Sequence, residues 1–167
     1  MFEYTCMPRR RDKTAYLAVL AAFVFAIVFW GVSRVENVPF PVVFQLGTFA
    51  SLAAALWLSD RFLLRDYTYA IRARDDGGFD FIVTERRGKR LTCLCRIGTE
   101  TFTDLTAWGK TARDRYRTLS GRNWRTELRA GGDMLLELRD GEEEVGVRFT
   151  PDETLTRLIR HALDENL

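Results

Sequence analysis

The sequence predicts an α+β membrane protein in which an antiparallel hairpin of two transmembrane helices leads into a β-rich domain closed by a C-terminal helix. Three features predict it: two uncharged apolar runs near the N-terminus, a change to two-residue hydrophobic alternation after Asp66, and a capped amphipathic segment at the end of the chain. At 167 residues there is room for one soluble domain plus a membrane segment.

The apolar runs come first. Tyr16 to Val32 is seventeen residues without a charge, and Pro41 to Leu58 is eighteen more, broken only by Gln45, Gly47, Thr48 and Ser51. A hydrocarbon core of about 30 Å needs roughly 17 to 25 helical residues. Spans are therefore expected at about 15–33 and 41–59 within a 14–65 hairpin. Basic residues precede the first run, as in a signal sequence, but no small-x-small cleavage site comes before Glu36 and a second run follows at once. The runs are apolar on every side, which a core helix of a soluble protein is not.

Flanking charge sets the expected orientation. Arg9, Arg10, Arg11 and Lys13 precede the first run and Arg61 and Arg65 follow the second, while the connection carries only Arg34. The positive-inside rule then places the 1–13 tail and the C-terminal domain in the cytoplasm. The short connection Glu36-Asn37-Val38-Pro39-Phe40-Pro41 makes the hairpin tight, and Tyr16, Trp30 and Trp57 fall where aromatic rings favour the interface. Ala18, Ala22 and Ala26 repeat every four residues in one run, and Gly47, Ser51 and Ala55 in the other, a spacing that lets helix backbones approach closely in lipid. Neither run contains an ionisable residue, so the hairpin reads as an anchor rather than an ion pathway.

The 66–167 segment alternates. Tyr67, Tyr69, Ile71 and Ala73 form one apolar face, Asp75-Asp76-Gly77-Gly78 a turn, Phe79, Phe81 and Val83 the next face, and Arg87-Gly88-Lys89 a second turn. Leu91, Cys93, Cys95 and Ile97 continue the meander with both thiols on one inward face. A strand is expected near Thr101–Leu105, then a short helix or loop, then strands at Trp124-Thr126-Leu128, Met134-Leu136-Leu138 and Val145-Val147-Phe149, with turns at Ala130-Gly131-Gly132-Asp133 and Asp140-Gly141-Glu142. Thr150 as N-cap, Pro151 and a Glu153 capping box open a helix at 151–166, whose Leu155, Leu158, Ile159, Ala162 and Leu163 share a face.

Six or seven antiparallel strands forming a barrel or sandwich, followed by one such helix, resemble the pleckstrin-homology-like fold. The pieces that carry this are the YTYAI strand, the FDFIVTERRGKR hairpin and the LTCLCRI strand. With the preceding hairpin, the chain resembles small bacterial membrane proteins in which a two-helix anchor leads into such a domain. The resemblance implies a bacterial inner or cell-membrane location, and the members of that group mostly lack an assigned activity. Members of the wider fold that bind phosphoinositides place basic residues around the first hairpin, where this chain carries Asp75 and Asp76.

Candidate contacts are basic. Arg86, Arg87, Lys89 and Arg90 form one hairpin tip, and from Ala107 to Arg129 seven cations, among them Lys110, Arg113 and Arg117, stand against Asp114 and Glu127. Both segments suit an anionic head group or an acidic partner. A net charge of +2 gives no nucleic-acid footprint. Three cysteines and one histidine, His161, offer no paired metal-ligand spacing, and no nucleophile elbow, phosphate loop or zinc-protease helix occurs. No cofactor and no catalytic residue are expected. The expected function is a membrane-anchored interaction module that docks a protein partner or an anionic surface, alone or as a homo-oligomer. The alternatives are an accessory subunit acting through the small-residue faces of the hairpin, and an enzyme with an unrecognised site.

Overall fold

The computed structural model describes residues 3–8, 13–36, 38–128 and 131–165. Arg9, Arg10, Arg11, Asn37, Arg129 and Ala130, and the expected helix end at residue 166, lie outside the described residues. The chain forms two compact units, one of residues 11–65 and one that unites residues 1–10 with 66–167.

The first unit is a helix pair, α1 (Thr14–Val32) and α2 (Pro41–Leu58), with α2 continued by a π-helical turn at Ser59–Leu63. Both helices are long and apolar enough to cross a membrane. Phe40 adopts φ 57° to reverse the chain, a conformation costly for a residue with a Cβ, and Pro41 then supplies the preset φ of a first helical position. Ala15, Val19 and Ala26 of α1 and Thr48 and Ala55 of α2 are buried. The Thr48 hydroxyl donates to the Phe44 carbonyl at 3.0 Å, so this buried polar group is satisfied within its own helix. Leu17, Ile27, Leu46, Phe49 and Leu56 are each exposed by 60% or more, an apolar surface of the kind that a membrane or a protein partner covers.

Helix contact depends on small side chains. A Cβ at Gly47 would lie 2.9 Å from the Phe29 ring, which itself packs on Phe44 with centroids 6.3 Å apart. Gly47→Leu is therefore expected to cost the helix pair about 1–3 kcal/mol through overpacking, and Gly47→Ala less, because the ring needs to give only a few tenths of an ångström. Unfolding in mixed micelles of increasing denaturing detergent checks this, and equal resistance of Gly47→Leu and the wild type would show that the helices do not meet at this point.

The second unit holds two four-stranded sheets. The first runs β1 (Glu3–Cys6), β2 (Arg65–Ala73), β3 (Phe79–Arg87) and β4 (Arg90–Gly98). The second has the order β5 (Phe102–Ala107), β7 (Met134–Asp140), β8 (Glu143–Phe149) and β6 (Ser120–Asn123). A short helix α3 (Lys110–Tyr116) precedes β6, and α4 (Glu153–Glu165) closes the chain. The inward faces of both sheets build one core from Tyr69, Phe81 and Val83 on one side and Leu136, Leu138, Val147 and Phe149 on the other, joined by Leu155 and Ile159 of α4.

Four details depart from the expected arrangement. Residues 3–6, expected only as tail, form an edge strand antiparallel to β2, with Cys6 opposite Tyr69 and buried in the core. The stretch Trp124-Thr126-Leu128 is not a strand. Pairing instead ends at Asn123, and β6 runs parallel to β8, so the sheets are not wholly antiparallel. The alternation there reflects an irregular segment laid on the core: the Trp124 amide donates to the Arg148 carbonyl at 2.9 Å, and Thr126 is buried. A register shift after Val83 pairs Val83 with Cys95 but Thr84 with Cys93, which leaves Leu94 as an extra residue and breaks the single apolar face of β4. Leu91 and Cys93 are consequently exposed. Finally, the α4 cap is Asp152, whose Oδ1 accepts from the Leu155 amide at 2.8 Å, while Thr150 donates its hydroxyl to Asp133 at 2.9 Å.

Candidate functional site

Two basic surfaces lie on the sheet domain, and local structure decides which cations are available on each. The first is the β3–β4 tip. Gly88 takes φ 60° in the two-residue turn, and Arg86, Arg87, Lys89 and Arg90 are all exposed. Arg86 reaches Asp66 at 3.2 Å. Asp66 lies in β2, which begins at Arg65, so this exposed contact joins the tip to the start of β2.

The second surface is a cleft of about 480 Å³ on the outer side of the second sheet. Two glycines make it. Gly121 of β6 and Gly146 of β8 stand side by side in register, and a Cβ on either would collide with the Tyr116 ring or with Leu119. Their absent side chains let the end of α3 settle on the strands, with Tyr116 edge-on to Trp108 at 5.5 Å between centroids. Arg148 of β8 lies over the Trp108 ring, its guanidinium carbon 3.8 Å from the ring centre. Its Nε and Nη2 donate to Asp133 Oδ2 at 2.9 and 2.6 Å, and both residues are buried. Arg113, Arg117, Arg125 and Leu128 complete the lining.

Within α3 the arginines are sorted by face. Arg115 is neutralised by Glu137 and Glu144, each at 2.9 Å. Arg113 and Arg117, one helical turn apart, face the cleft instead. Arg117 has only an exposed 3.6 Å contact with Asp114, and among the described residues no carboxylate pairs with Arg113. Lys110, also expected in this group, is exposed at the start of α3 and does not line the cleft. Arg125 belongs to the basic 107–129 segment, whereas Trp108, Tyr116 and Arg148 are not among the sequence candidates. A signal for them exists in Val145-Gly-Val-Arg-Phe149: with Val145, Val147 and Phe149 inward, Gly146 and Arg148 share the outer face, and a glycine there invites something to cover the arginine.

The small residues of the hairpin fall where the two helices meet: Ala26 and Ala55 are buried, Ala18, Ala22, Gly47 and Ser51 are half-buried, and Gly47 lies under Phe29. His161 is exposed on α4, 3.4 Å from Glu165.

The thiols divide by burial. Cys93, expected inward, is exposed. Burial raises the Cys6 thiol from the ordinary 9.0 to about 11 and the Cys95 thiol to about 12. Near neutral pH those two groups hold about a hundredfold less thiolate than an ordinary thiol, or less still. Maleimide labelling followed by mass spectrometry is expected to modify Cys93 first, and modification of Cys95 at a matching rate would contradict its burial. The same shifts set a pH dependence. Above pH 9.0 the unfolded thiols release their protons while the folded ones keep them to about 11 and 12, so stability present below pH 9.0 falls as pH rises through that window. Against known proteins, the chain matches no family model, no curated protein and no solved structure.

Proposed function

We propose that the chain is an integral membrane interaction module, anchored by the α1–α2 hairpin, whose pleckstrin-homology-like sheet domain lies against an anionic bilayer surface through the β3–β4 tip. The observation that supports this reading is the contact of Arg86 with Asp66 at 3.2 Å, which sets the tip beside the start of β2, the strand that follows the hairpin in sequence. A cation near an anionic leaflet gains about 1 kcal/mol, so Arg87, Lys89 and Arg90 together give a useful but salt-sensitive attraction. Pairing of β1 with β2, the strands that flank the hairpin in sequence, favours an arrangement with both ends of the hairpin on one side of the bilayer. Lys13, Arg61 and Arg65 favour the cytoplasm for that side. The small-residue faces are buried or half-buried within the hairpin, which favours docking through the sheet domain.

The test uses the full chain in nanodiscs of neutral phosphatidylcholine or of phosphatidylcholine with phosphatidylglycerol. Amide exchange at residues 86–91 is expected to slow in the anionic discs. The difference should vanish at high salt and in the Arg87→Gln/Lys89→Gln/Arg90→Gln variant. Identical exchange in both discs at low salt sinks the reading.

A further inference from the structure

The geometry points to a second site on this domain: the cleft between α3 and β8 binds the phosphoryl group of a phosphomonoester through Arg113 and Arg117. Four observations carry it. The two guanidinium groups sit one turn apart on the same face, where like charges repel unless an anion lies between them. Their neighbour Arg115 is fully paired with carboxylates, so the helix neutralises one face and leaves the other charged toward the cleft. Trp108 and Tyr116 form an aromatic wall beside those charges, against which the carrier of an anionic group can pack. Beneath them, Arg148 is locked by Asp133 and packed against Trp108, which keeps the floor rigid and leaves no carboxylate free there to oppose an anion.

Charge and size define the ligand class. Two guanidinium groups, opposed by the single exposed carboxylate of Asp114 at 3.6 Å from Arg117, offer two forks to the oxygens of a phosphomonoester, more than a single carboxylate can use. A cleft of about 480 Å³ is larger than a phosphate alone requires, so there is space for the group that carries it. That carrier is either a lipid, as in phosphatidic acid, or a soluble molecule. The site is separate from the β3–β4 tip and stands whether or not the tip touches lipid.

Calorimetric titration of the full chain in a neutral detergent tests this with two probes, inorganic phosphate and dihexanoyl phosphatidic acid. One saturable site per chain is expected for at least one probe. Saturation by phosphatidic acid alone identifies a lipid headgroup, and comparable saturation by phosphate identifies a soluble phosphoryl group. Arg113→Gln/Arg117→Gln is expected to weaken binding by about tenfold or more. Both side chains are exposed, so the fold should persist, and Arg113→Gln alone provides a milder variant. The tip variant Arg87→Gln/Lys89→Gln/Arg90→Gln should bind within about twofold of the wild type. No saturable binding of either probe, unchanged binding in the cleft variants, or a loss confined to the tip variant overturns the assignment.

Discussion

Asp133→Ala is expected to destabilise the sheet domain by about 3–5 kcal/mol, a large part of what holds a domain of this size together. The Asp133 side chain is fully buried and Arg148 retains a tenth of its side-chain exposure, so neither group has bulk water to replace a lost partner. Alanine removes the acceptor of both Arg148 donors and strands a guanidinium under Trp108. It also removes the acceptor of the Thr150 hydroxyl, in the segment that joins β8 to α4. The pair need not itself be strongly stabilising, because desolvation of two charges offsets much of their attraction. The informative comparison is therefore Asp133→Leu with Arg148→Met in one chain. Removing both charges should recover most of the loss, whereas either single change should not. Denaturant unfolding followed by near-ultraviolet circular dichroism reads this. A loss below about 1 kcal/mol for Asp133→Ala would mean that water reaches the pair after all.

How far this organisation was legible depends on whether a signal is local. The apolar runs that become α1 and α2 need no tertiary information, because a helix satisfies its backbone internally. Tyr69, Ile71, Phe81 and Val83 likewise show inwardness by period alone, and all four are buried. The bulge after Val83 is different. Leu91, Cys93, Cys95 and Ile97 alternate faultlessly, yet one extra residue in the pairing turns Leu91 and Cys93 outward, and nothing in the four residues announces it. Strand β6 carries the sequence Ser-Gly-Arg-Asn, with no apolar face at all. Its place follows from backbone pairing to β8 and from a glycine that admits Tyr116. Strand β1 is hidden for a third reason: its partner lies across the entire helix hairpin, beyond the reach of any local pattern.

The cleft was half legible on the same grounds. Arg113 and Arg117 stand out as a basic stripe, but Arg115 looks identical to them in sequence. Only the fold shows that Glu137 and Glu144 neutralise it. Arg148 reads as an ordinary outward strand residue until α3 and Trp108 are laid over it. Composition reveals how many charges a segment holds, and tertiary packing decides which of them remain available.

Phe149→Ala is the second change expected to cost about 3–5 kcal/mol. Its ring meets Tyr69 at 5.3 Å and Phe81 at 5.6 Å between centroids, so one side chain of the second sheet touches two strands of the first. Phe81 in turn meets Phe102 at 6.0 Å, which extends the aromatic cluster to β5. Truncation leaves a cavity between two sheets whose backbones are held by their own ladders and cannot close over it. The Tyr69 hydroxyl, which donates to the Trp124 carbonyl at 2.7 Å, loses the packing that aims it. Phe149→Leu refills most of the volume and should recover much of the stability. The helix hairpin is a separate compact unit with its own buried contacts, and in lipid its backbone bonds stay satisfied without the sheets. In nanodiscs, heating the alanine variant should therefore erase the near-ultraviolet signal of the sheet domain at a markedly lower temperature while helical ellipticity persists. Simultaneous loss of both signals would show that the hairpin depends on the domain for its fold, and that the two units act as one cooperative structure.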